Sequence, residues 1–155
     1  MKLSTKGRYA VMAMVDLANS SSERGKPVSL SDIATRQAIS LSYLEQLLGK
    51  LRRSGLVKSV RGPGGGYLLS RNYEDIRILD IVTAADEHLS ATRCAPGSAE
   101  GCRADKSRCL THDLWDELTN QIIMYLSSVS LADVCEKRVL GTSSLQLERQ
   151  VNEGA

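Results

Sequence analysis

The chain has no phenylalanine, one tryptophan and five tyrosines, so aromatic residues make up only 4% of its 155 positions. Aliphatic side chains must therefore fill the core, and a stacked-aromatic platform for single-stranded RNA is disfavoured. No run of 18 or more apolar residues occurs, which argues against a membrane-spanning helix. The opening MKLSTKGRYA has no apolar stretch leading to a small-residue cleavage site. A cytoplasmic protein without a membrane partner is expected. Neither a nucleophile–base pairing nor a nucleotide motif is visible: GPGGG lacks the Lys-Ser/Thr ending of a phosphate loop and does not open a helix, so no enzyme is expected.

Histidine is almost as scarce, with only His88 and His112, and cysteine is limited to four positions. Three of these, Cys94, Cys102 and Cys109, fall with His112 in one polar segment that holds Pro96, Gly97 and Gly101 and has almost no aliphatic side chains. Such a segment cannot build a core of its own. In a reducing compartment the cysteines are better read as ligands than as disulfides. Three thiolates and an imidazole satisfy tetrahedral zinc, and they also suit an iron-sulfur cluster, whose ligands can be widely spaced on a loop. Spacing alone leaves the two level. Cys135, in LADVCEKR, reads as a small buried thiol, and His88 as a surface residue.

The net charge of +2 hides a division within the chain. Residues 1–71 carry 12 Lys/Arg against 4 Asp/Glu, whereas residues 72–155 carry 8 against 14. Only the first half is suited to attract phosphate, through neutralisation and counterion release.

That half has the rhythm of a helix-turn-helix. Ser4 or Thr5 can cap a helix through Ala18, and Leu30, Ile33, Ala34 and Gln37 mark a second, short one. A break at Ala38 to Ser40 precedes a third helix whose Leu44, Leu47, Leu48 and Leu51 define a buried stripe. The opposite face offers Ser42, Glu45 and Gln46, side chains able to bond base edges. Gly55 closes that helix, Leu56 to Val60 and Tyr67 to Leu69 read as strands, and RGPGGG between them reads as the turn of a β-hairpin wing with Arg61 at its shoulder.

In the second half, Ile76 and Ile78 are expected to extend a strand, and Ile81, Val82 and Ala85 to form a short helix ending near Asp86 and Glu87. Trp115, Leu118, Ile122, Tyr125 and Val129 then recur at alternating spacings of three and four, as in a coiled-coil seam, with an internal core helix as the alternative. Pairing this helix with its twin in a homodimer would set two recognition helices one DNA turn apart. Ser130 with Asp133 matches a capping box for a last short helix.

KGRYAV (Lys6 to Val11), ISLSYLEQLL (Ile39 to Leu48), LRRSGLVKSVRGPGGGYLL (Leu51 to Leu69) and the segment from ATRC to Trp115 together resemble the IscR family of bacterial iron-sulfur cluster regulators. The likeness covers nearly the whole chain to about Leu140. It implies a homodimeric winged-helix repressor and activator with a 2Fe-2S cluster on Cys94, Cys102, Cys109 and His112. It further implies base reading by Ser42, Glu45, Gln46 and Arg61 on a double-stranded DNA operator, and the cluster-assembly machinery as cluster source. Cluster occupancy would change which DNA is read. Lys6, Arg8, Ser40, Tyr43, Arg52, Gly64 and Gly65 complete the expected DNA-contacting set. The gap between Cys94 and Cys102 is longer than the family's usual five residues, which costs only tenths of a kcal/mol in closure entropy. A zinc-stabilised regulator and a nitric-oxide-sensing relative are the alternatives.

The expected fold is mainly α with a small β-hairpin wing. A winged helix-turn-helix DNA-binding domain over 1–71 leads to a connecting strand and short helix over 72–90 and a cluster-binding loop over 91–112. A dimerisation helix and short terminal helix over 113–140 and a flexible tail over 141–155 follow.

Overall fold

Ala10, Ala13, Met14, Leu17 and Ala18 repeat at the spacing of one helix face, and all five are buried along helix α1 (Thr5–Ser22). The computed structural model describes residues 4–22, 25–85, 89, 103 and 105–139. The expected helix end at Asp86 and Glu87, together with His88, Cys94, Cys102 and the tail from 141, lies outside the described residues.

Helix α2 (Leu30–Gln37) starts at Ser29, whose hydroxyl accepts the Asp32 N–H at 3.1 Å, and stops at Ala38 in the left-handed conformation (φ 53°). Helix α3 (Leu41–Arg53) follows after three residues. Its cap is Ser40, which accepts the Tyr43 N–H at 3.4 Å. Ile39 and Leu44 flank that cap at the positions of an apolar staple, and both are buried. With Leu47, Leu48 and Leu51 they fix α3 against the core and turn its polar face outward. This is the helix-turn-helix read from the sequence.

Strands β1 (Val57–Val60) and β2 (Gly66–Leu69) pair antiparallel, Val57 opposite Leu69 and Val60 opposite Gly66. The wing has a third edge that periodicity does not reveal. Val28 exchanges both backbone hydrogen bonds with Tyr67, at 2.9 and 2.8 Å, and so ties the wing to the segment entering α2.

The expected strand through Ile76 and Ile78 is not formed. A 3-10 turn (Tyr73–Asp75) precedes Ile76, and Ile78 is already the first residue of helix α4 (Ile78–Ala84). The Asp80 carboxylate accepts the Arg77 N–H at 3.2 Å, a local bond that starts the helix where a strand would have continued. What extended pairing exists is one bridge, Arg77 with Ser130. There Leu131 N–H donates to Ile76 C=O at 2.8 Å and Ile78 N–H to Val129 C=O at 3.0 Å.

That bridge clamps the end of helix α5 (His112–Ser128) and the start of α6 (Leu131–Cys135) to α4. Ser130 and Asp133 form the capping box, with the Asp133 N–H to Ser130 Oγ distance at 3.1 Å. One core results. It joins α1, α2 and α3 to Ile76, Ile78, Ile81, Val82, Val129 and Leu131, so α4 and α6 complete the interior of the first 71 residues rather than merely connect it onward.

Among the described residues Asp16 is the buried carboxylate. Its carboxylate accepts from Arg36 Nη2 at 2.6 Å, Gln37 Nε2 at 2.6 Å and Ser20 Oγ at 3.4 Å, which pins α2 to α1. Gln37 does turn inward as its spacing implies, but as a donor to this acid. Burial alone would raise the Asp16 pKa, but the Arg36, Gln37 and Ser20 bonds and the Arg36 charge outweigh it and hold the carboxyl below the ordinary aspartate range. A depressed folded-state pKa means the stabilisation is fully present above the unfolded value and is lost as pH falls through the lower one. Asp133, held at about 2 by the Ser130 and Arg138 bonds, acts in the same direction. Acid unfolding should therefore set in below about pH 4. Asp16→Ala should cost about 1–2 kcal/mol at neutral pH, less than a fully buried pair because Arg36 is 44% exposed. Urea melts between pH 2 and 7 check both; an acid limb of equal depth in the variant refutes the assignment to Asp16.

Candidate nucleic-acid interface and metal loop

With the leucine stripe of α3 buried, Ser40, Ser42, Glu45, Gln46 and Arg52 are exposed together on the outer side of the helix. Tyr43 is half-buried and packs edge-on against Tyr9, with ring centroids 6.0 Å apart, so it also joins α3 to α1. Lys6 and Arg8, in the first turns of α1, are exposed as well. Arg52 reaches the wing, its Nη1 donating to Ser59 Oγ at 3.3 Å. The guanidinium near the end of α3 thus braces β1.

The wing turn carries Arg61, fully on the exposed side, and the glycines on which the hairpin depends. A Cβ on Gly65 would stand 2.4 Å from Val60 O, and one on Gly66 2.3 Å from Val28 O. Gly64 meets nothing within 4 Å but sits at φ +74°. Backbone contact, not only turn conformation, dictates glycine here. The helix face, the wing tip and the basic charge of residues 1–71 present hydrogen-bonding groups and cations together, as a duplex groove and its phosphates require.

Of the loop expected to bind metal, the described residues cover the C-terminal side. Asp105 accepts from Ser107 N–H at 2.9 Å and Ser107 Oγ at 2.6 Å, and Lys106 adopts positive φ (64°), which turns the chain just before Cys109. A second turn follows, with His112 N–H donating to Cys109 C=O at 3.0 Å. It brings the thiol and the imidazole to one end of α5. Cys109 is half-buried, its Sγ 3.6 Å from Thr111 Oγ1.

His112 is 6% exposed, and its Nδ1 is buried without a hydrogen-bond partner among the described residues. Burying an imidazole nitrogen unpaired costs about 1–3 kcal/mol. A bond from that atom to a metal would offset the cost, so this donor fits the metal group the sequence implies. Among the described residues no three ligating side chains gather, since Cys94 and Cys102 lie outside them. Cys135, packed against the core in α6, has its thiol pKa raised by burial and stands apart from this loop in the chain.

Helix α5 is unusual in what it buries. Its only fully buried residues are His112 and Thr119, both polar, while Leu114 (62% exposed), Trp115, Leu118 and Tyr125 (50%) face outward along one stripe, with Ile122 half-buried beside them. Val129 does not belong to that stripe. It caps the helix in extended conformation and packs in the core, because its carbonyl is held by Ile78, so the seam ends at Tyr125. Among the described residues no helix is long and apolar enough to cross a membrane.

Sequence periodicity did not reveal the Val28 bridge, the Asp16 knot or the Arg52–Ser59 brace. A lone bridge residue has no period. Asp16 alone carried a signal, as the one acidic residue in the buried-side run of α1.

Comparison with known proteins places these features in company. The model of the Rrf2 family, described as an iron-dependent transcriptional regulator, matches residues 3–137. The HTH-type transcriptional regulator IscR of Photorhabdus laumondii is 53% identical over 134 residues, covering 86% of this chain and 79% of its own. Among solved structures, T. potens IscR aligns with a TM-score of 0.70 at 40% identity, covering 89% of this chain and 88% of that one. CymR, the global cysteine regulator of B. subtilis, aligns with a TM-score of 0.70 at 33% identity over 88% and 98% of the two chains.

Proposed function

Because the chain belongs to the Rrf2 family of iron-dependent transcriptional regulators, and is itself a DNA-binding transcriptional regulator, we propose that it reports iron-sulfur cluster status to cluster-assembly genes. The observation that carries this reading is the buried His112 Nδ1, without a hydrogen-bond partner among the described residues, near Cys109 in the chain and at the head of a helix anchored to the DNA-binding core. Cys94, Cys102, Cys109 and His112 would hold a 2Fe-2S cluster received from the assembly machinery. Such a cluster supplies an occupancy that iron supply and oxidants can change.

The residues of the chain do the rest. Ser42, Glu45 and Gln46 read base edges, Arg61 enters the adjacent groove or meets phosphate, and Lys6, Arg8 and Arg52 hold the backbone. The outward stripe of α5 pairs with the same stripe of a second copy, which gives a two-fold reader for a palindromic operator. A 17-residue helix that buries two polar residues against its own chain needs such a partner to gain packing energy.

Glu45 places a carboxylate among phosphates, so an operator that leaves it unpaired is rejected. Glu45→Ala should keep operator affinity within a few-fold and shrink discrimination against single mismatches by about tenfold; an unchanged ranking of operators in binding titrations overturns that role. The function as a whole is tested by anaerobic purification, visible absorption with iron, sulfide and zinc analysis, and footprints of the loaded and emptied forms on the same promoters. A coloured protein whose footprint shifts on emptying is expected. Stoichiometric zinc in a colourless protein, or identical footprints, overturns cluster sensing.

A further inference from the structure

Leu41 is the leucine of α3 that the fold does not use. Leu44, Leu47, Leu48 and Leu51 are all buried, whereas Leu41 is 51% exposed at the first helical position. Neither the cap nor the staple requires it: Ser40 supplies the cap, and Ile39 and Leu44 occupy the staple positions. An exposed leucine there leaves apolar area in water that Ser, Glu or Lys would not. It stands between Ser40 and Ser42, on the first turn of the helix and beside the residues assigned to base reading. Every other exposed group on this turn is polar, so none of them recognises the one apolar feature of the major groove, the thymine C5-methyl.

We infer that Leu41 is a specificity-determining residue, packing on a thymine methyl in the operator. The inference rests on the proposal that α3 reads DNA. Burying a methyl against the leucine discriminates thymine from cytosine, and from uracil, which differs only by the methyl. Ser42, Glu45 and Gln46 cannot make that second distinction by hydrogen bonding.

The probe follows from the chemistry. The full-length protein selects its preferred duplex from a random library, and each thymine of that duplex is replaced in turn by deoxyuridine. One replacement per half-site should weaken binding about threefold to tenfold for the wild type and leave Leu41→Ala unaffected, while Leu41→Met should retain the sensitivity. Thermal melts should show Leu41→Ala as stable as wild type, because the site is exposed and alanine favours the helix. Indifference of the wild type to every deoxyuridine, or an equal loss in Leu41→Ala, overturns the assignment while leaving DNA reading intact. Failure to select any duplex overturns the DNA-reading function, and this inference with it.

Discussion

If His112 is the ligand proposed above, replacing it with leucine should strip bound iron from the protein and leave the fold in place. The imidazole is 6% exposed, and its Nδ1 has no partner among the described residues, so in the metal-free chain this atom is a net cost of about 1–3 kcal/mol. Leucine fills a similar space without a polar atom to desolvate. The emptied variant should therefore melt at or slightly above the temperature of emptied wild type. Iron and acid-labile sulfide after anaerobic purification should fall at least about tenfold, since loss of a ligand exceeds the tenfold to hundredfold losses seen when only a ligand's supporting contact is removed. The two readouts separate two roles. A core histidine without ligand function would leave the iron content normal; a ligand shows lost iron, and unimpaired stability shows that the loss does not come from unfolding. Wild-type iron content in His112→Leu overturns the ligand assignment.

Gly66→Ala should be the most disruptive change in the wing. The added Cβ would lie 2.3 Å from Val28 O and 2.5 Å from Val28 C, and these are backbone atoms that have no rotamer to retreat into. Relief requires separating Val28 from Tyr67, which breaks their two hydrogen bonds, at about 1 kcal/mol each, and adds strain of similar size, for a total of about 2–4 kcal/mol. That is a large share of the roughly 5–15 kcal/mol by which a domain is stable. Gly64→Ala is the internal control: nothing lies within 4 Å, and only the positive φ of +74° is penalised, at about 1–2 kcal/mol. Chemical denaturation of both variants should rank Gly66→Ala well below Gly64→Ala, and operator affinity should follow. Equal melting midpoints would show that the wing is not anchored through Val28.

The helix-turn-helix and its wing were legible in the sequence because each element is local. Ser40 caps, the leucines of α3 repeat at helical spacing, and glycines mark the turn, so a few neighbouring residues suffice. One misreading has a local cause and the other a distant partner. Ile76 and Ile78 have strand-like alternation, yet Asp80 reaches back to Arg77 and starts a helix. Val129 continues the periodicity of the seam, yet its carbonyl bonds to Ile78 and its side chain joins the core. The proposal of a metal loop rests on residue type, since three cysteines and a histidine in a segment poor in aliphatics have few other uses.

The class of most local elements, the charge division that points residues 1–71 toward nucleic acid, and the candidate ligands around Cys109 are written in the sequence. Which of these are coupled emerges in three dimensions. There α4 and α6 complete the core of the DNA-binding half, Val28 anchors the wing, and α5 turns an apolar stripe outward while burying His112. The reason is physical. Capping, turn and periodicity preferences act over a few residues and are written in them, whereas the burial of an imidazole nitrogen or the approach of Val28 O to Gly66 depends on segments tens of residues apart, which no local pattern encodes.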